Sequence, residues 1–115
     1  MKRIFLVEDD PAIREVLEIF LISENYEVQA FGSVNEFANR DIINSPDLYL
    51  FDVMLPDGSG IDLCKEIKNN VNIPVIIMSA HARLYDIKKL CEPDDMIVKP
   101  FDIDDVLKRI EKVLV

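Results

Sequence analysis

The sequence predicts an α/β fold, a doubly wound five-stranded parallel sheet with helices on both faces. Three observations point to it. Short β-type runs alternate with amphipathic helical stretches along the whole chain. The runs beginning at Ile4, Leu48 and Val75 are almost continuously apolar, as strands buried on both faces should be. The runs near Tyr26 and Met96 are alternating or short and so belong at the edges, which makes 2-1-3-4-5 the strand order that fits best.

Each element has its own signal. Residues 3–8 form the first run, and Asp10 followed by Pro11 supplies an N-cap and a preferred first-turn proline. Ile13, Val16, Leu17, Phe20 and Leu21 then recur at helical spacing to about residue 23. Tyr26, Val28 and Ala30 alternate with Glu27 and Gln29, the pattern of a half-exposed strand. Ser33 and Glu36 make a capping box for a second helix that should end near Ile43. Residues 47–52 form the third strand, and Gly58-Ser59-Gly60 opens a helix carrying Ile61, Leu63, Cys64 and Ile67. Val75-Ile76-Ile77-Met78 is the fourth strand, followed by a short helix around residues 82–91 that Pro93 stops. Met96-Ile97-Val98 is the last strand. Asp102 caps a final helix with Ile103, Val106, Leu107, Ile110, Val113 and Leu114 inward.

Composition sets the outer limits. The chain of 115 residues, 50% hydrophobic and 30% charged, fits one domain over residues 1–115 with a real core and no internal linker. A net charge of -9 and a pI near 4.5 repel phosphate backbones, so this segment is not expected to hold nucleic acid directly. No apolar run approaches the length of a membrane span and no cleavage-site pattern follows Met1-Lys2-Arg3, so a cytoplasmic location is expected. Cys64 and Cys91 fall inside helical stretches and read as reduced packing thiols.

The chemistry concentrates at strand ends. Glu8 and Asp9 follow the first run, and Asp52 follows Leu48-Tyr49-Leu50-Phe51. Were these runs neighbouring strands, the carboxylates would be forced together, and two like charges about 4 Å apart repel by roughly 4 kcal/mol at an effective dielectric near 20. A cation must share the site. A hard divalent ion and Lys99, at the end of the fifth run, are the two candidates. Ser79 ends the fourth run on the same rim, outside the carboxyl ends of strands one and three where the winding switches. Taken singly, each of these residues is a turn, cap or solvated group, and Asp10 is read as a cap only. Their conjunction on one rim favours a functional site.

The strings Leu6-Val7-Glu8-Asp9-Asp10, Phe51-Asp52-Val53-Met54-Leu55-Pro56-Asp57-Gly58-Ser59-Gly60, Met78-Ser79-Ala80 and Val98-Lys99-Pro100-Phe101 resemble the receiver domain of two-component response regulators, in order and over essentially the whole chain. The resemblance implies a flavodoxin-like phosphoacceptor module that takes a phosphoryl group from a phosphohistidine on a sensor histidine kinase or phosphotransfer protein. Asp52 matches the acceptor, Glu8 and Asp9 the magnesium-binding acids, Ser79 the hydroxyl that contacts the phosphoryl group, and Lys99 the motif's lysine. Mg²⁺, for which Mn²⁺ can stand in, would then be held by Asp9, Asp52 and the backbone carbonyl of Met54, with Glu8 acting through water. A cis peptide before Pro100 is also implied, which would aim Lys99 inward.

In that family the signal passes to the face made by the fourth helix, fifth strand and fifth helix, through an aromatic residue on the fifth strand. Met96 stands at that position here. It fills space flexibly but carries no hydroxyl. The interval from Ser79 to Lys99 is about two residues shorter than the family's usual one, and Glu92-Pro93 replaces a glycine-containing turn, so a truncated or irregular fourth helix is expected. Met54 and His81 flank the line of water attack on an acyl phosphate and would tune its lifetime; the plain alternative is a loop methionine and an exposed histidine. Ala80 and Pro100 complete the switch or tuning set. The output partner or fused effector domain is not identified, and the resemblance leaves room for a homodimer through the same face.

The expected function is therefore a signalling switch, not a metabolic enzyme, that assists its own phosphorylation and dephosphorylation. One alternative is a Mg²⁺-dependent phosphohydrolase with an aspartyl-phosphate intermediate. Such enzymes usually carry an acid two residues after the nucleophile, where this chain has Met54. The other is a receiver-like interaction module that is never phosphorylated, against which the costly set of crowded acids argues.

Overall fold

A computed structural model describes residues 1–80 and 84–115. The elements run β1 (Arg3–Val7), α1 (Pro11–Ser23), β2 (Glu27–Phe31), α2 (Val34–Ala38), β3 (Leu48–Asp52), α3 (Gly60–Asn70), β4 (Val75–Ser79), α4 (Leu84–Cys91), β5 (Asp95–Val98) and α5 (Ile103–Leu114). The five strands form one sheet in the order β2-β1-β3-β4-β5, and every pairing within it is parallel. A small antiparallel ladder, Met54–Leu55 against Gly58–Ser59, lies between β3 and α3.

The strands alternate their side chains between two cores, because successive residues of a strand face opposite ways. Ile4, Leu6, Leu48, Leu50, Ile76 and Met78 pack with Leu17 and Leu21 of α1 and Val106 and Ile110 of α5. Phe5, Val7, Tyr49, Phe51, Val75 and Ile77 pack with Phe37 of α2, Leu63, Cys64 and Ile67 of α3 and Ile87 and Cys91 of α4. Every residue of β3 and β4 is buried, whereas β2 alternates, as its edge position requires. Cys64 and Cys91 are free, buried thiols, and Cys64 Sγ donates to the Cys91 carbonyl at 3.4 Å.

The helix starts are built as the sequence predicts. Asp10 accepts from the N–H groups of Ala12 and Ile13 at 2.9 and 3.3 Å, and Asp102 accepts from Asp104 N–H at 2.9 Å. The buried stripe of α1 is narrower than its periodicity suggests: Leu17 and Leu21 are buried, but Val16 and Phe20 are 43% and 41% exposed.

α2 departs further from expectation. It stops at Ala38 rather than near Ile43. Phe37 is its buried residue, while Ile42 and Ile43 are 76% and 87% exposed, so another turn would bury no apolar face. Local bonds take over instead. Asn39 Nδ2 donates to the Asn35 carbonyl, and the Asp41 carboxylate accepts from Ile43 N–H and Asn44 Nδ2, the kind of short-range pairing that competes with helix. α4 is short, as expected, and is followed by Glu92 at φ 50°, a left-handed position. The Lys99–Pro100 peptide is cis. No helix of the described residues is long and apolar enough to cross a membrane.

Candidate functional site

The register of the sheet assembles the site. Val7 pairs with Phe51, so Glu8 and Asp52 leave adjacent strands side by side. Asp52 pairs with Met78, which brings Ser79 one step beyond it on the next strand. Ser79 pairs with Val98, and Lys99 follows, its N–H donating to the Ser79 carbonyl at 2.7 Å. Four strand ends thus deliver Glu8, Asp52, Ser79 and Lys99 to one rim. Among the described residues, Glu8, Asp52 and Ser79 are the buried polar side chains. Polar groups are seldom placed in a core without a partner or a task.

The carboxylates are crowded. Glu8, Asp9 and Asp52 each offer an oxygen within 4.8 Å of the others, with Asp9 exposed at the mouth and the other two buried. Lys99 Nζ bridges the buried pair, 2.5 Å from Glu8 Oε1 and 3.2 Å from Asp52 Oδ2. Of the two acids, Glu8 is the nearer partner. Glu8 Oε2 accepts from Asp10 N–H at 3.2 Å. Burial pushes the Glu8 carboxyl up to about 7, helped by neighbouring Asp52 and opposed by the Lys99 bond. Burial alone would lower the Lys99 ammonium, but its contacts with Glu8 and Asp52 outweigh that and hold it above its ordinary value.

Three hard carboxylate oxygens converging at a solvent-open mouth fit a divalent cation that prefers oxygen donors, Mg²⁺ above all. The backbone brings them together by close approach: a Cβ on Gly60 would lie 2.1 Å from the Asp52 carbonyl oxygen, so the helix start can pack against the end of β3 only as glycine.

Other predicted residues fall into place around this rim. Met54 lies in the small ladder opposite Ser59, its side chain exposed. Met96, on β5, is half-buried against the core under α2, α3 and α4. Ala80 and Pro100 line the same groove as Lys99. His81 lies outside the described residues. Two residues escape the sequence reading. Arg14 Nη1 donates to the backbone carbonyls of Glu8 and Asp9 at 2.8 and 3.4 Å, and Asp57 accepts from the N–H groups of Val34 and Asn35 at 2.8 and 2.9 Å. Arg14 looks like an ordinary exposed helix residue, and Asp57, between Pro56 and Gly58, like part of a turn.

Such a sheet with an acid-lined crevice at its switch point defines a class, and comparison with known proteins identifies it. The family model of the response regulator receiver domain matches residues 4–111, and the chain belongs to that family. The response regulator ArlR of Staphylococcus saprophyticus is 36% identical over 116 residues, covering 99% of this chain and 53% of ArlR, so the chain spans about half the length of the curated relatives it matches. Among solved structures, the non-phosphorylated HemR receiver domain of Leptospira biflexa is 32% identical with a TM-score of 0.88, over 99% of this chain and 94% of that one. The response regulator TrrA of Thermotoga maritima, in complex with Mg²⁺-BeF, is 29% identical with a TM-score of 0.87, over 99% of this chain and 100% of that one.

Proposed function

We propose that Asp52 accepts a phosphoryl group from a phosphohistidine on a sensor histidine kinase or phosphotransfer protein, and that the resulting aspartyl phosphate acts through the α4–β5–α5 face on an output partner or fused effector domain. The observation that carries this reading is the meeting of Asp52, Glu8, Asp9 and Lys99 at adjoining strand ends.

A carboxylate oxygen of Asp52 attacks phosphorus as the P–N bond to imidazole breaks, and the bonding pair returns to the imidazole nitrogen. The transfer brings an anionic group to an anionic nucleophile, so alignment and charge neutralisation dominate. Asp9, Asp52 and the Met54 carbonyl would hold Mg²⁺, with Glu8 acting through water; Mn²⁺ suits the same donors. Bound there, the ion neutralises charge on the transferring group. Lys99 pairs with Asp52 beforehand and with a phosphoryl oxygen afterwards. The Ser79 hydroxyl donates to the phosphoryl group, and Met96 repacks as it does so. Ala80 and Pro100 support Ser79 and Lys99, while Met54 and His81 tune the lifetime of the product. The module thus assists its own phosphorylation and dephosphorylation.

A largely apolar groove of about 440 Å³ beside Lys99, walled by Ala12, Ile13 and Val16 of α1 and by Pro100 and Phe101, supports the first part of the reading. Any protein that presents a phosphohistidine to Asp52 must cover this rim, and the groove gives it an apolar seat.

The test is incubation with Mg²⁺ and a small acyl-phosphate donor, followed by intact-mass measurement. One phosphoryl mass on the wild type and none on Asp52→Asn is the expected result. Equal labelling of both would move the acceptor elsewhere.

A further inference from the structure

The two loops that carry the carboxylates and Met54 are fastened to a common support, the stretch from the end of β2 to the start of α2. On the β1 side, Glu8 N–H donates to the Phe31 carbonyl at 3.0 Å. Arg14, already bonded to the Glu8 carbonyl, lies beside Gly32, where an added Cβ would come 3.1 Å from its Nη1. On the β3 side, Asp57 takes the N–H groups of Val34 and Asn35, and a Cβ on Gly58 would lie 2.8 Å from Val34 Cγ2. The ladder pairing Leu55 with Gly58 and Met54 with Ser59 encloses Asp57, so what Asp57 grips also fixes Met54.

Ser33 Oγ accepts from Glu36 N–H at 3.1 Å, and Glu36 Oε2 accepts from Gly32 N–H at 2.5 Å, so α2 has local caps of its own. Asp57 is a cap from a distant loop, a carboxylate bonded to two amides at the positive end of a helix. Its bonds join segments more than twenty residues apart.

We propose that Asp57 and Arg14 are positioning residues for the divalent-cation site: Asp57 ties the loop of Met54 to α2, and Arg14 ties the backbone of Glu8 and Asp9 to α1. Neither residue belongs to the oxygen donors. The inference rests on reading the acidic crevice as a divalent-cation site, and it gives the five-residue helix between β2 and β3 a task. Outer partners of this kind hold metal donors in place, and losing one typically weakens binding about ten-fold or more.

The test uses the full chain, Mn²⁺ as the ion and electron paramagnetic resonance to count free Mn²⁺, with thermal unfolding measured in parallel. Asp57→Ala and Arg14→Met should each weaken Mn²⁺ binding about ten-fold, and Asp57→Asn, which keeps one acceptor oxygen, should recover part of the loss. Ser33→Ala removes the local cap of the same helix without touching either loop; it should lower the unfolding temperature and weaken Mn²⁺ binding less than Asp57→Ala does. Wild-type affinity in Asp57→Ala, or in Asp57→Asn should the alanine variant not fold, overturns the role of Asp57. Equal weakening by Ser33→Ala also overturns it, because the effect would then run through helix stability. Wild-type affinity in Arg14→Met overturns the role of Arg14. No Mn²⁺ uptake by the wild type removes the reading of the crevice itself, and the inference with it.

Discussion

Lys99 lies nearer to Glu8 than to Asp52: Nζ is 2.5 Å from Glu8 Oε1 and 3.2 Å from Asp52 Oδ2. The ammonium therefore serves two buried acids at once. Without it the buried Glu8 carboxyl would face Asp52 with that counter-charge gone.

Lys99→Met should expose that dependence. Removing one partner of a buried charged cluster typically costs about 3–5 kcal/mol, and the low end applies here because Glu8, held near 7, can take up a proton to relieve the imbalance. Urea unfolding at neutral pH without divalent ions should show a loss of about 3 kcal/mol. A midpoint equal to wild type would mean that the acids do not depend on the lysine.

Gly60→Ala should damage stability and site together. Its new Cβ would meet the Asp52 carbonyl oxygen at 2.1 Å and the carbonyl carbon at 2.8 Å, both backbone atoms with little room to yield. Overpacking of this kind costs about 1–3 kcal/mol or more. Displacement of the end of β3 should also slow labelling by an acyl-phosphate donor, so chemical denaturation and intact mass read the two effects on one variant.

Asp57 gives a pH signature. The N–H groups of Asn35 and Val34 hold its carboxyl below the ordinary 3.8. A carboxyl with a depressed folded value contributes stability that is complete above the unfolded value and disappears as pH falls through the folded one. The difference in urea midpoint between wild type and Asp57→Asn should accordingly be steady above the ordinary carboxylate range and shrink in acid. A gap that persists unchanged under acid would assign it to something other than the ionised carboxylate.

Glu92→Gly should stabilise the protein. Glu92 occupies a left-handed conformation at φ 50° immediately after α4, a position that costs an ordinary L-residue roughly 1–2 kcal/mol and glycine almost nothing. Glycine's extra freedom in the unfolded chain offsets about 0.5–1 kcal/mol of that, leaving a net gain of up to about 1.5 kcal/mol, measurable by thermal or urea unfolding. Asn25 at φ 68° follows α1 in the same way, but asparagine tolerates the conformation and no such gain is expected there.

The run of β-type and helical signals was enough to define this fold because each signal is local. The apolar runs at Ile4, Leu48 and Val75 announce strands buried on both faces, and all three take the centre of the sheet. Asp10 and Asp102 announce helix starts that only require a side chain to reach its own neighbours. The end of α2 is not legible in the same way, because a capping box marks where a helix begins, whereas its stop at Ala38 follows from the lack of a core to receive Ile42 and Ile43.

The α/β architecture and the placing of Glu8, Asp9, Asp52, Ser79 and Lys99 at strand ends are legible in the residues alone, since parallel strands in a fixed register carry their terminal residues to one edge. The sharing of Lys99 with Glu8, the grip of Arg14 on the carbonyls behind the acids and the reach of Asp57 to α2 emerge only from the packed fold. Those contacts depend on loop paths and side-chain directions over distances of a few ångströms, and such distances are set only once the helices have packed on both faces of the sheet.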